Sequence, residues 1–160
     1  RAGILGAGLA RGKDLESEGH AIIPCGGKSS IDRPAMIFRL FDVPTFLVWD
    51  SDKSKGGKPE ENRRLLRVVG FPVEDYPATV ESGFACFEDN LEVTLRREIG
   101  ETEFDSLLNN CMDEFEFAQR EDAIKNPFII KEVIRRAAEQ SKKSDTLEAI
   151  VDALLKLKGN

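Results

Sequence analysis

A chain of 160 residues has the length of one domain, with room at most for a helical appendage. Hydrophobic residues make up 41% of it, with ten Phe among them, which is enough to fill a core. The net charge of −6 argues against a polybasic nucleic-acid binder, but not against an enzyme that meets phosphates through bound divalent cations.

Residues 1–18 are predicted as a helix, with Ile4, Leu5, Leu9 and Leu15 near helical spacing. Gly3, Gly6 and Gly8 lower its propensity and suit close packing on a sheet, and Gly19 stops it. Ala21-Ile22-Ile23-Pro24-Cys25 reads as a short strand, and a glycine loop leads into a helix from Pro34 to Phe41. Thr45-Phe46-Leu47-Val48-Trp49 is apolar on both faces, as a central strand of a parallel sheet covered by helices must be. Pro59-Glu60-Glu61 opens a helix that ends at Gly70, with Pro in its first turn and carboxylates where the helix dipole favours them. Gly83 to Glu88 is a further short strand, with a helix from Asn90 to Ile99 behind it. Helices are expected over about 101–119, 127–140 and 144–158. The reading is therefore α/β: a mostly parallel sheet flanked by helices over 1–100, then an α-helical extension over 101–160.

Cys25, Cys86 and Cys111 are odd in number and scattered, and with a single His they make no zinc cluster. They read as small buried hydrophobes of a reducing cytoplasm, where the chain is expected to work without a membrane partner. No apolar run approaches the ~20 residues that span a bilayer. The chain opens at Arg1 straight into a helical pattern and reads as a piece of something longer.

Asp50 and Asp52 follow the central strand. In an extended strand, residues i and i+2 share a face, about 7 Å apart. At the C-terminal end of a parallel strand they face the crevice where open α/β sheets bind ligands. Two such carboxylates repel unless a cation lies between them, and all-oxygen donors select Mg²⁺ or Mn²⁺ over Zn²⁺. Taken alone, a D-x-D is also a common solvated acidic turn. Glu88, Asp89 and Glu92 form a second acidic group; Glu88 and Glu92 share a helix face if the helix includes both. Ordinary acidic first-turn chemistry is the competing reading. Two metals about 4 Å apart need four or more carboxylates between them. Gly26-Gly27-Lys28-Ser29 has the glycines of a phosphate cradle without the spacing of a Walker A loop, and Lys28 is a candidate contact to DNA backbone or simply a surface lysine after a tight turn. Lys125, in Lys125-Asn126-Pro127, could neutralise charge on a phosphate, though most such lysines are only surface groups.

The tracts Ile22-Ile23-Pro24-Cys25-Gly26-Gly27-Lys28-Ser29, Ile31-Asp32-Arg33-Pro34 and Val48-Trp49-Asp50-Ser51-Asp52-Lys53 resemble the Toprim domain of the overcoming lysogenisation defect (OLD) family, ATPase–nucleases of bacteria and phages. Phe84 to Glu92 and Lys125-Asn126-Pro127 are similar to later blocks of the same region. The resemblance implies a Toprim fold with a four-stranded, mostly parallel sheet. It implies DNA cleavage at a two-metal Mg²⁺ or Mn²⁺ site held by Asp50, Asp52, Glu88 and Glu92, with Asp50, Asp52 and Lys125 as catalytic residues. DNA, the N-terminal ATPase domain of the parent protein and a second copy of the chain are the partners it suggests. It also implies a first strand ending in Glu-Gly just ahead of Arg1. Two alternatives stand beside this reading. A haloacid-dehalogenase-like phosphatase also ends an apolar strand in D-x-D, although Lys53-Ser54 replaces the Gly-Thr pair expected there. A degenerate, non-catalytic Toprim module would use its helical tail, 101–158, for assembly.

Overall fold

The computed structural model describes residues 1–157. These pack as two compact units: residues 1–23 with 91–151, and residues 24–90 with the segment that begins at 152. The fold is mixed α/β, with a small parallel sheet flanked by helices in the second unit, consistent with a Toprim-like architecture.

The first unit is helical. Its helix α1 (Ala2–Ala10) ends well short of residue 18, because the chain turns at Gly12, where φ is +69°. The glycines of α1 serve a helix rather than a sheet. A Cβ on Gly6 would lie 2.9 Å from both Ile130 Cγ2 and the Pro127 carbonyl oxygen. These atoms belong to the helix running Pro127–Glu139. Helices at Leu91–Ile99, Glu101–Glu114, Arg120–Ile124 and Asp145–Lys156 complete the helical set; for the last, the expected terminal residue 158 lies outside the described residues. The helix predicted to reach 119 stops at Glu114, and Glu116 takes a left-handed φ of 57° just after it. Phe104, Leu108, Ile129, Ile130, Val133 and Ile150 are fully buried.

The second unit is built on β1 (Leu47–Asp50) and β2 (Phe84–Phe87), hydrogen-bonded in parallel with Leu47 opposite Phe84 and Asp50 opposite Phe87. In chain order the remaining helices are α2 (Asp32–Leu40), α3 (Pro59–Val69), α4 (Leu91–Ile99), α5 (Glu101–Glu114), α6 (Arg120–Ile124), α7 (Pro127–Glu139) and α8 (Asp145–Lys156). The core of this unit brings Leu47 and Trp49 of β1, Phe84 and Cys86 of β2, Leu65, Leu66 and Val69 of α3, and Ala35 of α2 into one cluster. Trp49 stacks on Phe84 with ring centroids 5.0 Å apart, and Phe71 meets Phe84 edge-on. Burial holds the Cys86 thiol protonated, well above the usual cysteine range. No disulfide joins Cys25, Cys86 or Cys111 among the described residues.

The four-stranded sheet is not what the described residues form: β1 and β2 make a two-stranded sheet, and Val80 adds a single antiparallel bridge to Ala85. The expected strand at 21–25 is absent. Its residues form no ladder, Pro24 has no N–H to donate, and Ile23 is 52% exposed. Helix α3 matches its sequence signals from Pro59 to Gly70, whose φ of 79° supplies the left-handed cap. No helix among the described residues is long and apolar enough to cross a membrane.

Candidate metal site at the end of the first strand

Strand β1 ends at Asp50, and Ser51 and Asp52 lie in the loop that leaves it. Asp52 has a φ of 57°, so it is not an extended-strand residue. The i, i+2 alternation expected to align the two aspartates therefore does not operate. A tight turn brings them together instead: the Lys55 and Gly57 amides both donate to the Asp52 carbonyl, at 3.2 and 2.9 Å. Gly57 is required there, since a Cβ would lie 2.5 Å from that of Asp52.

Ser51 fixes this exit loop to the next strand. Its amide donates to the Phe87 carbonyl and its hydroxyl to the Glu88 carbonyl, both within one hydrogen-bond length. Asn62, fully buried on α3, accepts from Trp49 Nε1 at 3.2 Å and donates to the carbonyls of Ser51 (3.1 Å) and Asp75 (2.7 Å). Neither residue was singled out from sequence. The signal was present for Asn62, a polar residue on the 62, 65/66, 69 stripe that is otherwise apolar.

The second glycine loop supplies a cation. Gly26 takes a φ of 76°, and Lys28–Ser30 form a single 3₁₀ turn ahead of α2. Lys28 is turned inward, with its side chain 10% exposed. Its ammonium donates to the carbonyls of Asp50 (2.9 Å) and Ser51 (3.3 Å) and to the Asp52 carboxylate (2.9 Å). Lys28 thus faces oxygens of its own chain.

Asp50 is half-buried, and its carboxyl is pushed up to about 6. Burial is the largest cause and repulsion from Asp52 the next, partly offset by Lys55 and Lys28. Between about pH 4 and 6 the folded chain holds a proton that the unfolded chain has released. This group therefore favours folding at low pH, and that contribution is lost as pH rises through 6. A cation beside Asp50 reverses the penalty. Added Mn²⁺ is thus expected to raise the melting temperature more at pH 7.5 than at pH 5.5, read by thermal denaturation at both values. An equal shift at the two pH values would contradict the assignment.

The second acidic group divides. Helix α4 begins at Leu91, so Glu88 is not on it, and the shared helix face expected for Glu88 and Glu92 does not exist. Residues 88 and 89 are held as a strand-exit loop. The Lys53 amide donates to the Glu88 carbonyl, Lys53 Nζ meets Glu88 Oε1 at 2.7 Å, and the Ser54 amide donates to the Asp89 carboxylate at 2.8 Å. Glu92, in the first turn of α4, accepts two hydrogen bonds from Arg120, which also reaches Asp105. Lys125 is exposed at the C-terminal end of α6, and Asn126 after it caps α7 by accepting from the Phe128 amide at 2.9 Å. Glu92 and Lys125 belong to the helical unit and serve its helix ends.

Among the described residues no group of three or more His, Cys, Asp or Glu side chains is disposed to hold a metal. What β1 offers is smaller: the Asp52 carboxylate and the carbonyl oxygens of Asp50 and Ser51 around the Lys28 ammonium, with the half-buried Asp50 carboxyl close enough to feel the charges of Asp52 and Lys28. That oxygen set fits one Mg²⁺ or Mn²⁺, which proteins commonly hold by one or two carboxylates with water and substrate phosphate completing the shell. It falls short of a two-metal centre. A cavity of about 260 Å³ lined by Leu66, Phe71, Thr79 and Phe84 among others flanks the opposite end of β2 and takes no part.

The family model for the TOPRIM domain of overcoming lysogenization defect protein-like proteins matches residues 5–52. That stretch includes Lys28, Asp50 and Asp52, whereas Glu88, Glu92 and Lys125 lie outside it. Neither the curated proteins nor the solved structures compared with the chain include a match. The match supports a nuclease-related, metal-binding module. Over residues 5–52 the chain is similar to the TOPRIM domain of overcoming lysogenization defect protein-like proteins.

Proposed function

We propose that this chain is the nuclease module of an OLD-type ATPase–nuclease and hydrolyses DNA phosphodiester bonds with Mg²⁺ or Mn²⁺. The observation that supports it is the charged niche at the end of β1, where the Asp52 carboxylate and the Asp50 carbonyl hold the Lys28 ammonium beside the half-buried Asp50 carboxyl. Asp50 and Asp52 would hold the metal, with Glu88 in the adjoining strand exit as the nearest further carboxylate of the predicted set. The reading draws less on Glu92, which is paired to Arg120, and on Lys125, which is exposed at the end of α6. When bound, the cation supplies Lewis acidity and neutralises charge on the phosphodiester in the transition state. The chain's own residues prepare its place: Asn62 and Ser51 fix the strand exit, and Gly57 allows the turn that presents Asp52. Lys28 would leave Asp52 when a divalent cation enters and turn to the DNA backbone.

This exchange has a measurable consequence. Lys28→Met removes the competing ammonium, so Mn²⁺ is expected to bind about tenfold more tightly by calorimetry. Weaker or unchanged binding would show that Lys28 does not compete for those oxygens. A non-catalytic Toprim module used for assembly is the second reading; among the described residues no three His, Cys, Asp or Glu side chains are grouped to hold a metal. It predicts no Mn²⁺ binding and no cleavage under any of these conditions.

A further inference from the structure

Helix α2 is amphipathic the wrong way round for a monomer. Ala35 enters the core, yet Met36 and Ile37 are each 53% exposed, Leu40 80% and Phe41 76%. Positions 33, 36/37, 40/41 recur at helical spacing, so these side chains form one continuous apolar stripe with Arg33 at its N-terminal end. Asp42 follows the stripe at its other end, in a left-handed turn with φ of 54°. Isolated apolar residues on a surface need no explanation, but four contiguous ones on a single helix face mark an interaction site.

The charges at its ends select the occupant. Neither Arg33 nor Asp42 makes an ion pair among the described residues, whereas Asp32, beside Arg33, is paired to Arg64 Nε at 3.2 Å. The midpoint of Arg33 and Asp42 falls between Ile37 and Phe38, close to the middle of the stripe. A second copy of α2 laid antiparallel across a two-fold axis at that point would meet stripe with stripe. Each Arg33 would then reach the partner's Asp42 and the negative C-terminal end of its helix. Both ion pairs form at once, by symmetry. A lipid surface would call for cations at both ends of the stripe, and one end carries a carboxylate.

We propose that α2 is a homodimer interface, in which two copies of this chain pair antiparallel through Met36, Ile37, Leu40 and Phe41 with reciprocal Arg33–Asp42 contacts. The face of a nine-residue helix is small beside the ~800 Å² per partner of a standard interface, so the dimer is expected to dissociate in the micromolar range. Nothing in this pairing depends on the metal site, and a failure of one leaves the other standing.

Sedimentation of the whole chain across micromolar concentrations is the test. The unchanged chain is expected to show a monomer–dimer equilibrium, and Leu40→Glu to be monomeric throughout with unaltered circular dichroism. Arg33→Glu and Asp42→Lys should each weaken the dimer about tenfold, since each breaks two symmetry-related pairs. Combined, they should restore it to within a few-fold of the original. A monomeric parent chain would overturn the proposal and assign the stripe to a different partner. So would a dimer indifferent to Leu40→Glu, or singles that weaken it without rescue in the double variant.

Discussion

Phe84→Ala is expected to cost about 3–5 kcal/mol and to unfold the sheet-bearing unit near physiological temperature. Phe84 is 2% exposed at the start of β2, between Trp49 of β1 and Phe71 beyond α3. Truncating it removes a large transfer contribution and two ring contacts, and opens a cavity that the strand backbone cannot collapse to fill. The effect has a built-in reporter. Trp49 is the sole tryptophan, and it stacks on this ring, so its fluorescence follows the unfolding of that unit alone. Urea titration monitored at Trp49 should show the lowered midpoint. A loss below 1 kcal/mol would mean that the two-stranded core is not organised around Phe84.

Asp50→Ala should reduce Mn²⁺-dependent nicking of supercoiled plasmid by the complete protein by about a thousandfold or more, a loss typical of removing a group that stabilises developing charge. The same change removes a half-buried carboxylate whose ionisation opposes folding above pH 6, so the folded chain should be no less stable at pH 7.5 without metal. Lost activity in a chain of undiminished stability separates a chemical role from a structural one. Nicking that survives this change would take Asp50 out of the reaction.

Much of the local structure was legible. Phe84–Phe87 falls inside its predicted strand and Leu47–Asp50 overlaps the one expected over 45–49, shifted by one residue at its end, because runs of β-formers bounded by turns act locally. Helix α3 was bounded correctly by Pro59 and Gly70. The failures share one cause, which is distance along the chain. Ala21–Cys25 has strand composition, but a strand exists only if a ladder partner is present. The α1 glycines were assigned to a sheet because sequence does not say which surface approaches them; Gly3 meets Leu91, Gly6 meets Ile130 and Gly8 meets Leu15.

The site was legible as a set of residue types and not as a geometry. Asp50 and Asp52 come together through a left-handed residue and a Gly57 turn, not through strand alternation. Lys28, 24 residues before Asp52, reaches it across the unit, which no local pattern announces. Glu88 and Glu92 looked like one acidic face, yet backbone bonds from the 51–54 loop hold residues 88 and 89 out of the helix. Side-chain spacing nominates candidates, and the long-range contacts then decide which of them meet.

A Mn²⁺ titration of the unaltered chain, followed by electron paramagnetic resonance, reads free against bound metal without requiring any cleavage. The account predicts saturable binding at pH 7.5 that disappears in the Asp50→Ala, Asp52→Ala double variant and persists in Glu92→Gln. Absence of binding in the unaltered chain, or binding indifferent to the double replacement, would contradict it.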